Sequence, residues 1–277
     1  MSANNETSRA IWVVGASSGI GEALVRALNN DGDTIFISAR NEAALDAIAH
    51  AANATVQVLP LDITDEFSVS AATESIRRKV GRLDQVIVNA GTCEYIDSDQ
   101  IDLTAVKRVM DTNFIGAINV IDSALPLLRA SLSFESECRP QLAVMSSSVT
   151  YQALPRAGAY GASKAALRYF VEALKLDVQH EGIDVRVISP GFVKTPLTDK
   201  NDFEMPFIVE VDEAAERIVS GLKSNQFDIH FPTRFTRILK AISLLPDAIR
   251  FKLVGKASRH QSELAIASNQ HTEIRRP

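Results

Sequence analysis

Short apolar runs rich in β-branched residues alternate with longer helical stretches along most of this chain, and that alternation limits its fold most narrowly. The runs 10–14, 34–38, 55–59, 85–88, 142–146, 185–189 and 227–231 read as strands. Between them 20–30, 42–52, 66–80, 103–130, 159–180 and 212–223 carry apolar residues at helical spacing. Strands that are apolar on both faces and separated by helices imply a parallel sheet covered on both sides. Right-handed crossovers then give a doubly wound α/β sheet in three α/β/α layers. A stretch rich in serine and acid, 131–139, is expected as a surface loop.

A length of 277 residues lies within the range of one such domain. The net charge of −5 argues against a nucleic-acid binder, which would carry a basic surplus. Cys93 and Cys138 have neither metal-ligand spacing nor the makings of a disulfide framework. Residues 1–9 are polar, lack the apolar core of a signal peptide and are expected as a frayed leader. No run of ~18 apolar residues is visible, so the expectation is a cytoplasmic protein without a spanning helix.

The first strand ends in Gly15-Ala16-Ser17-Ser18-Gly19-Ile20-Gly21 and runs into a helix. Glycines there let the backbone turn tightly and approach a pyrophosphate, and the helix start offers N–H groups and a positive dipole end. After the second strand no Asp or Glu stands where a carboxylate would take the ribose 2′-hydroxyl of NAD(H); Arg40 stands there instead. Arginine can grip a 2′-phosphate bidentately, which favours NADP(H) over NAD(H). Asp62, beside Ile63 after the third strand, is placed to accept from the adenine amino group. Thr64 and Asp65 read equally well as helix caps.

Tyr160 and Lys164 are four residues apart and share one helix face. An isolated phenol, with a pKa of about 10, is a poor proton shuttle at neutral pH. A neighbouring cation lowers that value and makes tyrosine usable as a general acid or base. By itself the pair is equally an ordinary solvated helix face.

Taken in order, these motifs resemble the short-chain dehydrogenase/reductase family in its short, single-domain, Rossmann-type branch, over residues 10–200. The likeness adds Asn89-Ala90-Gly91 after the fourth strand, Asn113 on the long helix, Ser147 thirteen residues before Tyr160, and Ser189-Pro190-Gly191 with Thr195 nearby. Val14 and Val88 depart from it, where the family has a threonine and an asparagine that brace the turn and the fourth-strand loop.

The resemblance implies an NAD(P)-dependent oxidoreductase interconverting carbonyls and secondary alcohols. Tyr160 would be the general acid/base, Lys164 would lower its pKa and bond the nicotinamide ribose, and Ser147 would hold the substrate oxygen. Asn113 would anchor a water linking Lys164 to solvent. Asn89, Ala90, Gly91, Pro190, Gly191, Val193 and Thr195 would line the cofactor. The alternative is a non-catalytic NADP(H)-binding regulatory protein on the same fold. A homodimer or homotetramer is expected, and no metal.

Candidate substrate residues are Thr92, Cys93 and Glu94, then Val149, Tyr151 and Gln152, then Phe192 and Leu197. Residues 199–208 would add a lid or a plain surface loop. Residues 233–277 form a helical extension in which Phe235, Ile238, Leu239 and Ile242 recur at helical spacing. Between 233 and 259 seven basic residues accompany one acid, Asp247. Such a segment either packs against the domain or a partner subunit, or rests on an anionic membrane surface.

Overall fold

A computed structural model describes residues 8–255 apart from 31, 53, 135–138 and 202. Most of the leader, Cys138, and the extension beyond 255 therefore lie outside the described residues. Seven strands, β1 (Ala10–Val14), β2 (Thr34–Ser38), β3 (Thr55–Val58), β4 (Gln85–Val88), β5 (Gln141–Met145), β6 (Asp184–Pro190) and β7 (Asp228–Phe231), form one sheet. Its order is β3-β2-β1-β4-β5-β6-β7, and every pairing is parallel.

The period-two geometry of a strand sends alternate side chains to opposite faces. Trp12, Val14, Val86, Val88, Leu142 and Val144 pack on one side with α3 (Glu66–Val80), α5 (Ala117–Ser131) and α6 (Gly158–Val178). Ile11, Val13, Ile35, Ile37, Ile87 and Ile188 pack on the other with α1 (Gly19–Ala27), α2 (Glu42–His50) and α7 (Val211–Leu222). The expected doubly wound sheet is thus present, with the end residues of several elements displaced by one or a few positions.

Three expectations need correction. Residues 103–130 are not one regular helix: α4 (Leu103–Met110) leads into a π-helical turn, Asp111–Gly116, before α5. The composite is long and apolar enough, by length and composition, to cross a membrane, with a mean hydropathy of 1.2 over its most apolar window. Its Val109, Val120, Ile121, Leu127 and Leu128 are fully buried in the domain core, the position of a core helix. Ser131 does not begin a loop but ends α5, its hydroxyl donating to buried Asp84. Asp84 also accepts from the Ala10 backbone N–H at 2.7 Å, fixing the start of β1. Arg9, placed in the leader by the sequence, is already tied to Asp33 at 2.6 Å.

After β7 the chain forms α8 (Thr233–Ser243) and α9 (Asp247–Gly255). Phe235 and Leu239 of the expected apolar stripe are buried, whereas Ile238 faces solvent.

Candidate active site

From β1 the chain winds outward to β2 and β3, then returns to place β4 on the opposite side of β1. Doubly wound sheets open a crevice at such a reversal, beyond the carboxyl ends of the strands. Here it is a cleft of about 860 Å³.

The glycine turn forms one wall. A Cβ on Gly15, whose φ is +86°, would lie 2.5 Å from Ala90 N, and one on Gly21 would lie 2.0 Å from the Gly15 oxygen. Backbone thus packs directly on backbone, which only glycine allows. The bracing put in doubt by Val14 and Val88 comes from other groups. Asn89 Nδ2 donates to Gly15 O at 2.8 Å, Gly15 N–H donates to Ser38 O at 2.7 Å, and Ala90 N–H donates to Val14 O at 2.9 Å. Ser18 precedes α1 without a side-chain cap, so the first N–H groups of that helix are left for a ligand. Ser17, Gly19 and Ile20 line this end of the cleft; Gly21 lies beneath it, buried.

Arg40 and Asp62 face each other across the outer rim, Nη1 to Oδ2 at 4.0 Å, with the Arg40 side chain 82 % exposed. Asp62 already accepts from Thr64 N–H at 2.9 Å and Thr64 Oγ1 at 2.8 Å. Burial pushes the Asp62 carboxyl up, yet the Thr64 bonds and the Arg40 charge outweigh it and hold the group below its ordinary range. Ile63 lines the cleft beside it.

At the inner end, β5 delivers Ser147 and the first two turns of α6 deliver Tyr160 and Lys164. Ser147 Oγ accepts from Val149 N–H at 3.2 Å, and Lys164 Nζ donates to Met145 O at 2.8 Å. Asn113, fully buried in the π-helical turn, accepts from Thr92 N–H at 2.7 Å and donates to Thr92 O at 2.8 Å and Ser163 Oγ at 3.0 Å. The wide turn aims this side chain at the loop after β4; π-helical turns recur at functional sites. A Cβ on Gly91 would come within 3.1 Å of Asn113 Oδ1 and 3.2 Å of Lys164 Nζ, so all three meet. Pro190, Gly191, Val193 and Thr195 complete the wall after β6.

The electrostatics depart from the expectation that Lys164 lowers the phenol. Tyr160 leaves part of its surface open to the cleft, yet the protein packed around it makes burial dominant. Burial and the nearby Cys93 push its pKa up to about 12, against the lowering effect of the Ser147 hydroxyl. Burial likewise pushes Lys164 down to about 8. Without a ligand the phenol is protonated at neutral pH, and the ammonium is directed at a carbonyl.

The expected substrate residues divide. Thr92 and Leu197 line the cleft, and Cys93 sits close enough to Tyr160 and Lys164 to influence both. Tyr151 does not line it: its hydroxyl donates to Asp228 at 2.6 Å, and its ring lies under Arg168 and Lys240. Gln152 is buried, with Nε2 donating to Ala153 O. Val149 is buried behind the cleft, and Glu94 is paired with Arg108 at 2.6 Å. Phe192 belongs to an aromatic chain, 5.9 Å from Phe203 and 5.6 Å from Phe235. Phe203 in turn meets Tyr95 at 5.5 Å. Tyr95 escaped the sequence reading, its only signal being an aromatic residue two places beyond Cys93.

The model of the short chain dehydrogenase family matches residues 9–205. The chain belongs to the short-chain dehydrogenase family. An uncharacterized oxidoreductase of Myxococcus xanthus is 32 % identical over 244 residues, 87 % of this chain and 94 % of that protein. An 11-beta-hydroxysteroid dehydrogenase of Arabidopsis thaliana is 30 % identical across 83 % of this chain and 70 % of its own. Among solved structures, the NADPH-bound carbonyl reductase from chicken fatty liver aligns with a TM-score of 0.70 at 26 % identity, covering 79 % of this chain and 92 % of that one. As a short-chain dehydrogenase, the chain is an oxidoreductase.

Proposed function

We propose that this short-chain dehydrogenase is an NADP(H)-dependent enzyme that reduces carbonyls and oxidises the matching secondary alcohols, with Tyr160 as general acid/base. The observation that carries the reading is the convergence of Ser147, Tyr160 and Lys164 at the inner end of a cleft whose outer end offers an uncapped helix and Arg40. The glycine turn and the first N–H groups of α1 would hold the pyrophosphate, Arg40 the 2′-phosphate, and Lys164 the nicotinamide ribose. Room for such a group is offered by the cleft itself, lined by Gly15, Ser17, Gly19, Arg40, Gly91 and Lys164. The chicken carbonyl reductase, whose structure is bound to NADPH, supports the same cofactor.

When bound, the nicotinamide supplies or accepts hydride at the substrate carbon. Ser147 holds the substrate oxygen by a hydrogen bond, a positioning role that strengthens as negative charge gathers there. Tyr160, protonated at neutral pH, gives its proton to that oxygen during reduction and takes it back during oxidation. Lys164 lies within the same buried cluster, where its charge favours the phenolate left after proton donation. Asn113 holds the backbone of Thr92 and so keeps Gly91 beside Lys164. The aromatic chain Tyr95–Phe203–Phe192 would wall the substrate end and suit an apolar carbonyl.

The test is an NADPH-oxidation screen over aldehydes, ketones, quinones and steroid-like carbonyls. Turnover of at least one class is expected. Tight NADPH binding with no turnover anywhere in the panel would refute an enzymatic role.

A further inference from the structure

The helices after β7 present an outer face that the catalytic reading leaves unused. Ile238, Leu244, Ile249, Phe251 and Leu253 are exposed there, Leu244 to 86 % and Phe251 to 59 %. Ile238 and Leu244 follow Arg234 and Arg237 along one side of α8, and Ile249 and Leu253, four apart, share one side of α9, whereas Phe251 lies on the opposite side of that helix. Along α8 the exposed positions run Arg234, Arg237, Ile238, Ala241, Leu244, basic at the start and apolar at the end. The turn Leu244-Leu245-Pro246 then leads into α9, where Lys252 stands between Phe251 and Leu253.

Charge decides what covers this face. Residues 233–255 hold five basic residues and one acid, Asp247. Lys240 is paired with Asp228 at 3.4 Å and Arg250 with Asp247 at 2.7 Å. Among the described residues no ion pair involves Arg234, Arg237 or Lys252, so three cations stand among these exposed apolar side chains. A second copy docking through the same face about a two-fold axis would set like charges together. An anionic surface with an apolar interior satisfies both features, because apolar side chains enter the acyl boundary while arginine and lysine meet the headgroups.

We propose that α8 and α9 form a docking surface for an anionic lipid bilayer. The placement has a functional consequence. α8 begins at the carboxyl end of β7, the same end of the sheet on which the cleft opens. Its buried Phe235 touches Phe192 and, at 6.1 Å, Phe207, joining α8 to the aromatic chain that runs on to Phe203 and Tyr95.

The test is flotation of the full chain with phosphatidylcholine vesicles that contain or lack phosphatidylserine. Binding is expected only with phosphatidylserine at ~0.1 M salt, and is largely lost at ~1 M, where the screening length falls to ~3 Å. Each basic residue near such a surface is worth about 1 kcal/mol, so Arg234→Gln with Arg237→Gln weakens binding about 30-fold. Leu244→Asp with Ile249→Asp abolishes it, while the melting temperature and NADPH binding stay as in the parent. No flotation with phosphatidylserine vesicles, or flotation indifferent to both pairs of substitutions, overturns the proposal. So does a shift to a smaller oligomer on Leu244→Asp without any vesicle binding by the parent, which would assign the face to a second copy.

Discussion

Asn113 offers the sharpest separation of architecture from chemistry. Its side chain makes three hydrogen bonds, two to the backbone of Thr92 and one to Ser163. Asn113→Ala removes all three and leaves the fully buried pocket partly empty. Each net hydrogen bond is worth roughly 0.5–1.5 kcal/mol, with more lost where a buried partner is left unpaired, so the expected cost is about 2–4 kcal/mol. For a chain of this size that corresponds to a fall in melting temperature of roughly 5–15 °C. NADPH affinity should fall as well, because the loop carrying Gly91 loses its clamp against Lys164. Asn113→Asp keeps the acceptor for Thr92 N–H but loses both donors and sets a carboxylate beside Lys164, raising the lysine pKa. Differential scanning fluorimetry and NADPH fluorescence titration read both effects. A melting temperature within ~2 °C of the parent for Asn113→Ala would refute the argument, since that is less than ~1 kcal/mol of stability.

Other outcomes follow from the same geometry. Gly21→Ala places a methyl 2.0 Å from a backbone oxygen and should cost about 1–3 kcal/mol by thermal melt while weakening NADPH binding; an unchanged melt would contradict the close approach. Arg40→Asp should shift the ratio of kcat/KM values from NADPH toward NADH, and an unaltered ratio would remove Arg40 from the cofactor argument. Lys164, depressed to about 8 when folded, is charged in both states below that pH, so the full burial penalty stands there. Between pH 8 and its unfolded value the folded state loses the proton first, and stability rises through that window. Lys164→Met should therefore gain stability relative to the parent at pH 7, with the difference shrinking toward pH 10; a pH-independent difference would refute the shift.

Much of the molecule was legible because two periodicities carry it. β1, β2 and β4 are buried on both faces, so their apolar runs have sharp ends and the sequence places them to the residue. The glycine turn is legible for a related reason: contacts of 2.5 Å and 2.0 Å leave no other residue at Gly15 and Gly21. The π-helical turn is not legible, because Asp111–Gly116 keeps helical periodicity, and Asn113's partners, Thr92 and Ser163, lie far along the chain. Tyr151 and Gln152 mislead for a similar reason. They follow Ser147 closely in the chain, but the short helical turn at Ser148–Thr150 points Tyr151 toward Asp228 on β7. A partner seventy-seven residues away leaves no local mark in the sequence. The phenol pKa is likewise a property of packing: spacing places Lys164 near Tyr160, but only the folded surroundings show burial prevailing before a ligand arrives.

In the proposed reaction Tyr160 moves the proton. Stopped-flow measurement of NADPH oxidation with the best carbonyl from the screen, for the parent and Tyr160→Phe, tests it most directly. The expected loss is roughly 10²–10⁴ in the chemical step with NADPH affinity preserved, the range a positioned general acid supplies. A Tyr160→Phe enzyme that oxidises NADPH at close to the parent rate would contradict it.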